Sequence, residues 1–414
     1  MGVSNNFKIA IIGAGASGIF CATLLASLKI PLILFDKNKT LGKKLLATGN
    51  GHCNIHNKNL KHSCYQSTSF TPQEIQTILN NFDYFAFEKH CKKIGLFLEC
   101  KDNGKIYPAS SSAKSVINIF ESLLKESHIS LKLQEEILSL SYKEESFCLQ
   151  STQNSYTFSH VILACGSEAS PKLGGSNKGL LLAQKLGLEI LPTYPSLVPL
   201  KLNSTAINNL SGIKIKANIT LKDDDATLFK TYDDILFTNY GVSGFGILDL
   251  SSYLHQAKNP KIILDLLPNF SSQQLEKSLI YLIKSYPNRS TKEILSGFIH
   301  PKLAQLLSEN LKLKITNTKT IKHTIYTLKN LLLDSPSYYG FESAEVSGGG
   351  VSGNEISKQT FESKKFKNLY LIGEMLDIVG NRGGYNLAFA WASAWASAWA
   401  CTKAISTHLA QRGL

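Results

Sequence analysis

A chain of 414 residues with 43% hydrophobic and 18% charged residues is too long for one compact core and predicts two or three domains of ordinary globular composition. Its formal net charge is +13, nearly all from lysine, since Arg289, Arg382 and Arg412 are the only arginines. No five like charges run together, which excludes a basic tail and leaves two readings: lysines spread over a solvated surface, or an anionic partner such as RNA.

The amino-terminal apolar run carries glycines and lacks a cleavage-like ending, which argues against a secretory leader. Asn6 stands where a myristoylation signal wants Ser or Thr. Residues 7–12 read as a buried strand running directly into Gly13-Ala14-Gly15-Ala16-Ser17-Gly18, a helical pattern follows over 19–28, and residues 31–35 form a second strand ending at Asp36. That order is a dinucleotide grip. Gly13 makes the tight turn, Gly15 lets backbone approach a pyrophosphate, and Gly18 seats helix on strand. The helix start at Ala16 and Ser17 offers free N–H groups to phosphate. Asp36, followed by Lys37, suits a ribose with a free 2′-OH.

The grip alone does not separate FAD from NAD. The next segment, LGKKLLATGNGHCNIHN (41–57), is again glycine-rich and basic, with Lys44, Gly49, Gly51, Cys53 and Asn54. A second glycine cluster so early suits a long two-part cofactor. From there to residue 130 the pattern is mainly helical, with Val116, Ile117, Phe120, Leu123 and Leu124 at helical spacing. Residues 131–163 hold short alternating strands, and VILAC (161–165) returns to the parallel sheet through Ala164 and ends at Gly166.

Pro192, Pro195 and Pro199 punctuate an exit from this domain. Residues 193–249 read as β-rich, 250–319 as helical, and TIKHTIYTL near 320–328 as a further strand. The expected division is therefore a discontinuous nucleotide domain (1–191 and 340–414), a β-rich insert (192–249 and 320–339) and a helical insert (250–319). Eight cysteines at 21, 53, 64, 91, 100, 148, 165 and 401 form no CxxC pair. That pattern excludes a zinc or disulfide framework and predicts reduced thiols, a cytoplasmic location and no metal.

Near the end, LYLIG (369–373) reads as a last strand. Gly383 and Gly384 precede a helix that begins about Tyr385 and contains NLAFAWASAWASAWA (386–400). The apolar stretch 387–401 falls short of the roughly 20 residues a membrane span needs. Alanine and serine opposite the tryptophans predict a buried helix, and no membrane partner is expected.

These segments resemble the BaiN/YhiN-type flavoproteins, a family also labelled NAD(P)/FAD-dependent oxidoreductases or aminoacetone oxidases. The likeness runs through GAGASG, LGKKLLATGNGHCN, KDNGKIYPASSSAKSV (101–116), VILACGSEASPKLGGSNKG (161–179), FTNYGVSGFGIL (237–248), EVSGGGVSGNEISKQTFESK (345–364) and LIGEMLDIVGNRGGYNLAFAW (371–391). His52, Cys165, Lys178 and Phe245 depart from the family's usual Arg, Thr, Asp and Pro. The resemblance implies an α/β, Rossmann-like FAD domain of the glutathione-reductase type, interrupted by a β-barrel-like plus helical insert. It also implies that Gly49, Gly51, Cys53 and Asn54 approach the flavin, and that Ser347, Gly349, Gly350 and Val351 form a turn beside it. Glu374, with Asp377 as second choice after Gly373, would take a ribityl hydroxyl. Gly384, Tyr385, Asn386 and Leu387 would set a helix start against the ring. Tyr240 and Ser243 would close over it from the insert.

No catalytic residue is identified; Cys53, His52 and Tyr240 are candidates. With a single GxGxxG there is no second nucleotide domain, so NAD(P)H is expected as a transient reductant reaching the flavin directly. Members of this family are connected with reduction of carbon–carbon double bonds in bile acid intermediates and in uridine of ribosomal RNA. The expected activity is thus an FAD-dependent oxidoreductase that reduces a C=C bond, with uridine in rRNA as one substrate. Alternatives are a flavoenzyme reductase or amine oxidase acting on a small molecule, or a flavin-containing RNA-binding factor.

Overall fold

The computed structural model describes residues 9–127, 129–310, 312 and 315–411. Phe7 and Lys8 of the predicted first strand, with the rest of the segment weighed as a leader, lie outside them, as does Leu311 of the predicted helical tract. The chain divides into two compact units, Met1–Tyr194 with Glu345–Leu414, and Pro195–Ala344.

In the first unit, β1 (Ile9–Ile12) has four buried residues and no alternation, as a strand covered on both faces requires. It pairs in parallel with β2 (Leu32–Asp36) and with His160–Leu163. Ile129–Leu133 pairs with β2, and Leu369–Leu371 pairs with His160–Leu163. The result is a five-stranded parallel sheet with β1 at its centre, a Rossmann-type arrangement. The helix α1 (Ala16–Ser27) buries every residue from Ser17 to Leu25, because it is covered on more than one side. A three-stranded antiparallel sheet of Ile137–Lys143, Ser146–Ser151 and Ser155–Phe158 precedes His160.

The tract expected to be mainly helical does contain helices Lys43–Ala47, Pro72–Asn81, Tyr84–Lys93 and Ala113–Lys125. It also forms a small antiparallel sheet from His56–Asn57, Lys105–Pro108 and Leu98–Cys100. Strands of two to four residues are too short for alternation to show in the sequence.

The carboxy-terminal helix Tyr385–Gln411 packs along α1. Trp391 is fully buried, and its indole Nε1 donates to the Ile55 carbonyl at 2.8 Å. Its ring lies 5.3 Å from Phe20 and 5.6 Å from Phe87 between centroids. Trp395 stacks on Phe82 at 5.3 Å, whereas Trp399 is 51% exposed. Buried Ala388, Ala392, Ala394 and Ala398 leave room for close helix approach. Among the described residues no helix is long and apolar enough to cross a membrane.

The second unit is built on a seven-stranded sheet with its own apolar core. Lys214–Asp223 and Ala226–Thr238 form its central hairpin. Two expectations fail here. Residues 320–328 lie within a helix, Thr318–Lys329, not a strand. The β-branched residues suggested a strand, but Asn317 Oδ1 accepts the Thr320 N–H at 3.0 Å, and Ile321, Thr324, Ile325 and Leu328 bury one helical face. Conversely, the tract expected to be helical contains the strand Pro260–Asp265, paired between Lys214–Asp223 and Leu331–Asp334.

Trp391→Ala is expected to cost about 3–5 kcal/mol in chemical denaturation, and Trp399→Ala, at a half-exposed position, well under half of that. Equal losses would show that the burial pattern of this helix is wrong.

Candidate cofactor and active site

The turn after β1 is held by the protein itself at two of its three glycines. A Cβ on Gly13 would strike the Ala164 carbonyl oxygen, and one on Gly18 would strike the carbonyl oxygen of Gly13. At Gly15 nothing lies within 4 Å of a Cβ. Gly15 also begins α1 without a side-chain cap or any acid in the first turn, so Ala16 and Ser17 present unpaired N–H groups beside open space. That is the environment an anionic diphosphate fits. Asp36 Oδ2 accepts the Ala14 N–H at 2.7 Å, and Oδ1 accepts the Asn38 N–H at 2.7 Å. The carboxylate is therefore fixed at the lip of the turn, with exposed Lys37 next to it.

The second glycine cluster comes to the same place. The Gly42 N–H donates to the Ala14 carbonyl at 2.8 Å, which starts the short helix carrying Lys44. Lys44 Nζ then meets Glu374 Oε2 at 2.8 Å. Ser167 Oγ donates to Glu374 Oε1 at 2.7 Å, and the Ser347 N–H does so at 3.1 Å. Gly166 lies beside this carboxylate, a Cβ there falling 4.0 Å from Oε2. Ser167 carries no chemical signature in the sequence, and Ser347, expected in a turn beside the flavin, is found supporting Glu374 through its backbone N–H. Lys44 and Glu374 remain partly exposed, at 30% and 22% of the side chain, so both can still meet a ligand.

Asp377 is placed differently. It is 2% exposed, and its Oδ2 accepts from Ser67 Oγ, Thr68 N, Thr68 Oγ1 and Ser69 Oγ at 2.8–3.1 Å. This carboxylate pins the loop 67–69. Glu374 is the better-placed acid for a hydroxylated ligand.

Residues 49–57 wrap the start of the last helix. Gly49, Asn50, Gly51 and Cys53 all have left-handed backbone, with φ between 54° and 87°. Asn57 Nδ2 donates to the Gly383 carbonyl at 2.8 Å. With the Asn54 amide oriented to satisfy its neighbours, its nitrogen reaches the carbonyls of Ile106 and His56, and its oxygen accepts the Gly384 N–H at 3.3 Å. Gly384 is obligatory: a Cβ would run into the His56 carbonyl. Two other members of the expected cofactor set are engaged by the protein. The Asn386 side chain clasps Gly380 through bonds of 2.7 and 2.8 Å, and the Tyr385 carbonyl accepts the Tyr65 hydroxyl at 2.9 Å. Leu387 is partly buried. The Asn386 side chain is thus committed to Gly380, and what the helix start can offer a ligand is the backbone of its first turn. In Val346–Val351, Gly349 and Gly350 face the Pro192 and Met375 carbonyls, so their smallness serves the protein's own packing.

The candidate catalytic groups differ in chemical state. Cys53 is buried, and burial pushes its thiol up to about 12, which disfavours the thiolate form that a nucleophile needs. His52 is exposed, with Nδ1 at 3.0 Å from the Ser111 carbonyl. Tyr240 belongs to the second unit, where its ring packs against Tyr339 at 4.4 Å between centroids. Lys178, where the resembled family carries Asp, meets Glu136 at 2.8 Å. All eight cysteines are free thiols, and no cluster of metal-ligating side chains occurs among the described residues.

Residues 7–400 match the family described as the HI0933-like protein Rossmann domain. The chain is 31% identical to a 3-dehydro-bile acid delta(4,6)-reductase of Clostridium scindens, over 93% of this chain and 97% of the relative. It is also 31% identical to a ribosomal RNA dihydrouridine synthase of Escherichia coli, over 94% of this chain and 96% of the relative. Among solved structures, the 3-ketosteroid delta1-dehydrogenase of Sterolibacterium denitrificans superposes with a TM-score of 0.50 at 10% identity, over 95% of this chain and 99% of that one. That likeness concerns the fold.

Glu374→Gln is expected to lower flavin retention about tenfold or more, by removing the charge that holds Lys44. Asp377→Asn should lower the melting temperature more than it lowers retention. Flavin per protein after gel filtration, read beside thermal melts, checks both; the reverse ranking would exchange the roles of the two acids.

His56 supplies a pH signature. Burial lowers it to about 4, against smaller opposing effects of the Asn57 carbonyl and Asp83. The unfolded chain, with an ordinary His near 6.5, binds the extra proton first. Stability is therefore full above pH ~6.5 and falls as pH drops toward ~4, by at most about 3 kcal/mol. Denaturation curves of the wild type and of His56→Phe over this range test it, and an unchanged slope in the variant would refute it.

Proposed function

The chain belongs to the HI0933-like Rossmann-domain family of FAD-dependent oxidoreductases, and on that premise we propose that it reduces a carbon–carbon double bond conjugated to a carbonyl. The substrate we favour is uridine in ribosomal RNA, the electrons come from NAD(P)H, and the setting is the cytoplasm. One observation carries the cofactor part of this reading. The segment of Lys44 is bonded to the glycine turn through Gly42 and Ala14, Lys44 meets Glu374, and Asn54 and Asn57 hold the helix start at Gly383–Gly384. Segments from opposite ends of the chain thus meet, as a long dinucleotide needs.

FAD, when bound, would supply the hydride-transfer chemistry that links NAD(P)H to the substrate. Everything else falls to the chain. The N–H groups of Ala16 and Ser17 would hold the pyrophosphate, Asp36 the adenosine ribose, and Glu374, oriented by Lys44 and Ser167, a ribityl hydroxyl. The backbone N–H groups at the start of Tyr385–Gln411 stabilise negative charge that develops nearby. Reduction of uridine adds a hydride at C6 and a proton at C5, so an acid must stand on the substrate side. Cys53, held protonated, and His52, exposed at the loop tip, are the two candidates within the first unit. Both curated relatives are named for products or bonds consistent with hydrogenation of a double bond, and the lysine excess suits a polyanionic substrate.

Dihydrouridine mapping of rRNA from a deletion strain, with restoration by purified protein, FAD and NAD(P)H, tests the proposal. Loss of one dihydrouridine and its return in vitro is expected. An unchanged pattern sinks the RNA substrate. Turnover of a 3-oxo-Δ4 steroid in its place would assign the same chemistry to a small molecule.

A further inference from the structure

We propose that the exposed aromatic and lysine face around the small sheet of His56–Asn57, Lys105–Pro108 and Leu98–Cys100 docks unpaired nucleotides of an RNA; this rests on the RNA reading above and assigns it a surface. Phe85 and Phe97 are 62% and 63% exposed. Phe85 lies on the helix that packs against this sheet through Phe87 and His56, stacked at 4.8 Å. Phe97 lies directly before the strand Leu98–Cys100, its carbonyl bonded to the Ala109 N–H at 2.8 Å. Both rings are therefore carried on ordered elements and remain more than half exposed.

Cations accompany the aromatic rings here. Lys58 Nζ stands 5.7 Å from the centre of the Phe85 ring, and Lys101 Nζ stands 5.0 Å from that of Tyr107. Lys92 and Lys101 are matched by Glu88 and Glu99 at 3.2 and 3.8 Å. No carboxylate among the described residues is in ion-pair reach of Lys58, Lys89, Lys93 or Lys105. Exposed phenyl rings beside ammonium groups that no carboxylate holds in a direct ion pair suit a single strand, because each base supplies a π-face and each phosphate a negative charge. A double helix hides its base faces and would use only the lysines.

This face adjoins the site. Lys105 Cε comes within 3.6 Å of a Cβ built on Gly383, and Tyr107 within 3.8 Å of one built on Gly49. A strand running from the exposed rings across Lys105 and Tyr107 would meet the loop 49–57 that wraps the start of the last helix.

The test uses the full-length holoenzyme and a short fluorescent uridine-rich RNA, single-stranded or annealed to its complement. Wild type should prefer the single strand. Phe85→Ala/Phe97→Ala should weaken that binding by about tenfold per ring, and Lys58→Gln/Lys93→Gln should lower the salt slope by about 0.7 per lysine. Bound flavin, its reduction by NAD(P)H and the melting temperature should stay at wild-type levels, which separates docking from folding and from the redox site. Wild-type affinity in the double phenylalanine variant would overturn the docking face and leave the RNA reading standing. Absence of RNA binding by wild type would remove both. If the phenylalanine variant binds RNA normally but loses self-association in sedimentation, the face belongs to a second copy of the chain and the proposal fails.

Discussion

The first unit depends on backbone approaching backbone where no side chain fits. Gly13 lies against the Ala164 carbonyl, Gly18 against Gly13, and Gly384 against the His56 carbonyl. The first and third contacts join segments far apart in sequence, and the second closes the turn itself. Because the space is taken by the protein's own carbonyls, a methyl group at any of them would push two elements apart. Gly15 differs from these three: nothing lies within 4 Å of a Cβ there, so the turn leaves open space at the start of α1.

A second level of organisation is electrostatic. Glu374 follows the last strand of the sheet but is oriented by Lys44 from the second glycine cluster and by Ser167 from the loop after His160–Leu163. Three connections of the sheet thus set the position of one carboxylate. Such a group retains its geometry because each partner is itself anchored to the sheet. Asp377, three residues on, is used in the opposite way: its oxygen is consumed by the hydroxyls and amide of Ser67, Thr68 and Ser69. Of two acids close in sequence, one stays partly exposed and the other is buried in the architecture, and the difference comes from burial and donor supply.

The tryptophan-rich segment shows how one repeated pattern yields three environments. Trp391 is enclosed by Phe20, Phe87 and the Ile55 carbonyl, Trp395 stacks on Phe82, and Trp399 reaches solvent. The alternating small residues let the helix lie close to α1, while the four-residue spacing drifts around the helix axis, so successive rings leave the core by degrees.

Local order was already determined by the sequence. The strand, GAGASG turn, helix and strand ending at Asp36 follow from an apolar run, glycine spacing and a terminal acid, all short-range features. The helix after Gly384 was legible for the same reason. Distinctions that depend on partners from elsewhere in the chain were decided only by tertiary structure. Glu374 and Asp377 look alike until their donors are known, and Gly349 and Gly350 look like ligand-facing glycines until Pro192 and Met375 are seen against them. Residues 320–328 have strand-forming residue types, yet the cap at Asn317 and burial of Ile321, Ile325 and Leu328 make them helical. The cause is common to all of these: propensity and spacing act within a few residues, whereas burial, donor supply and steric room are set by segments that only folding brings together.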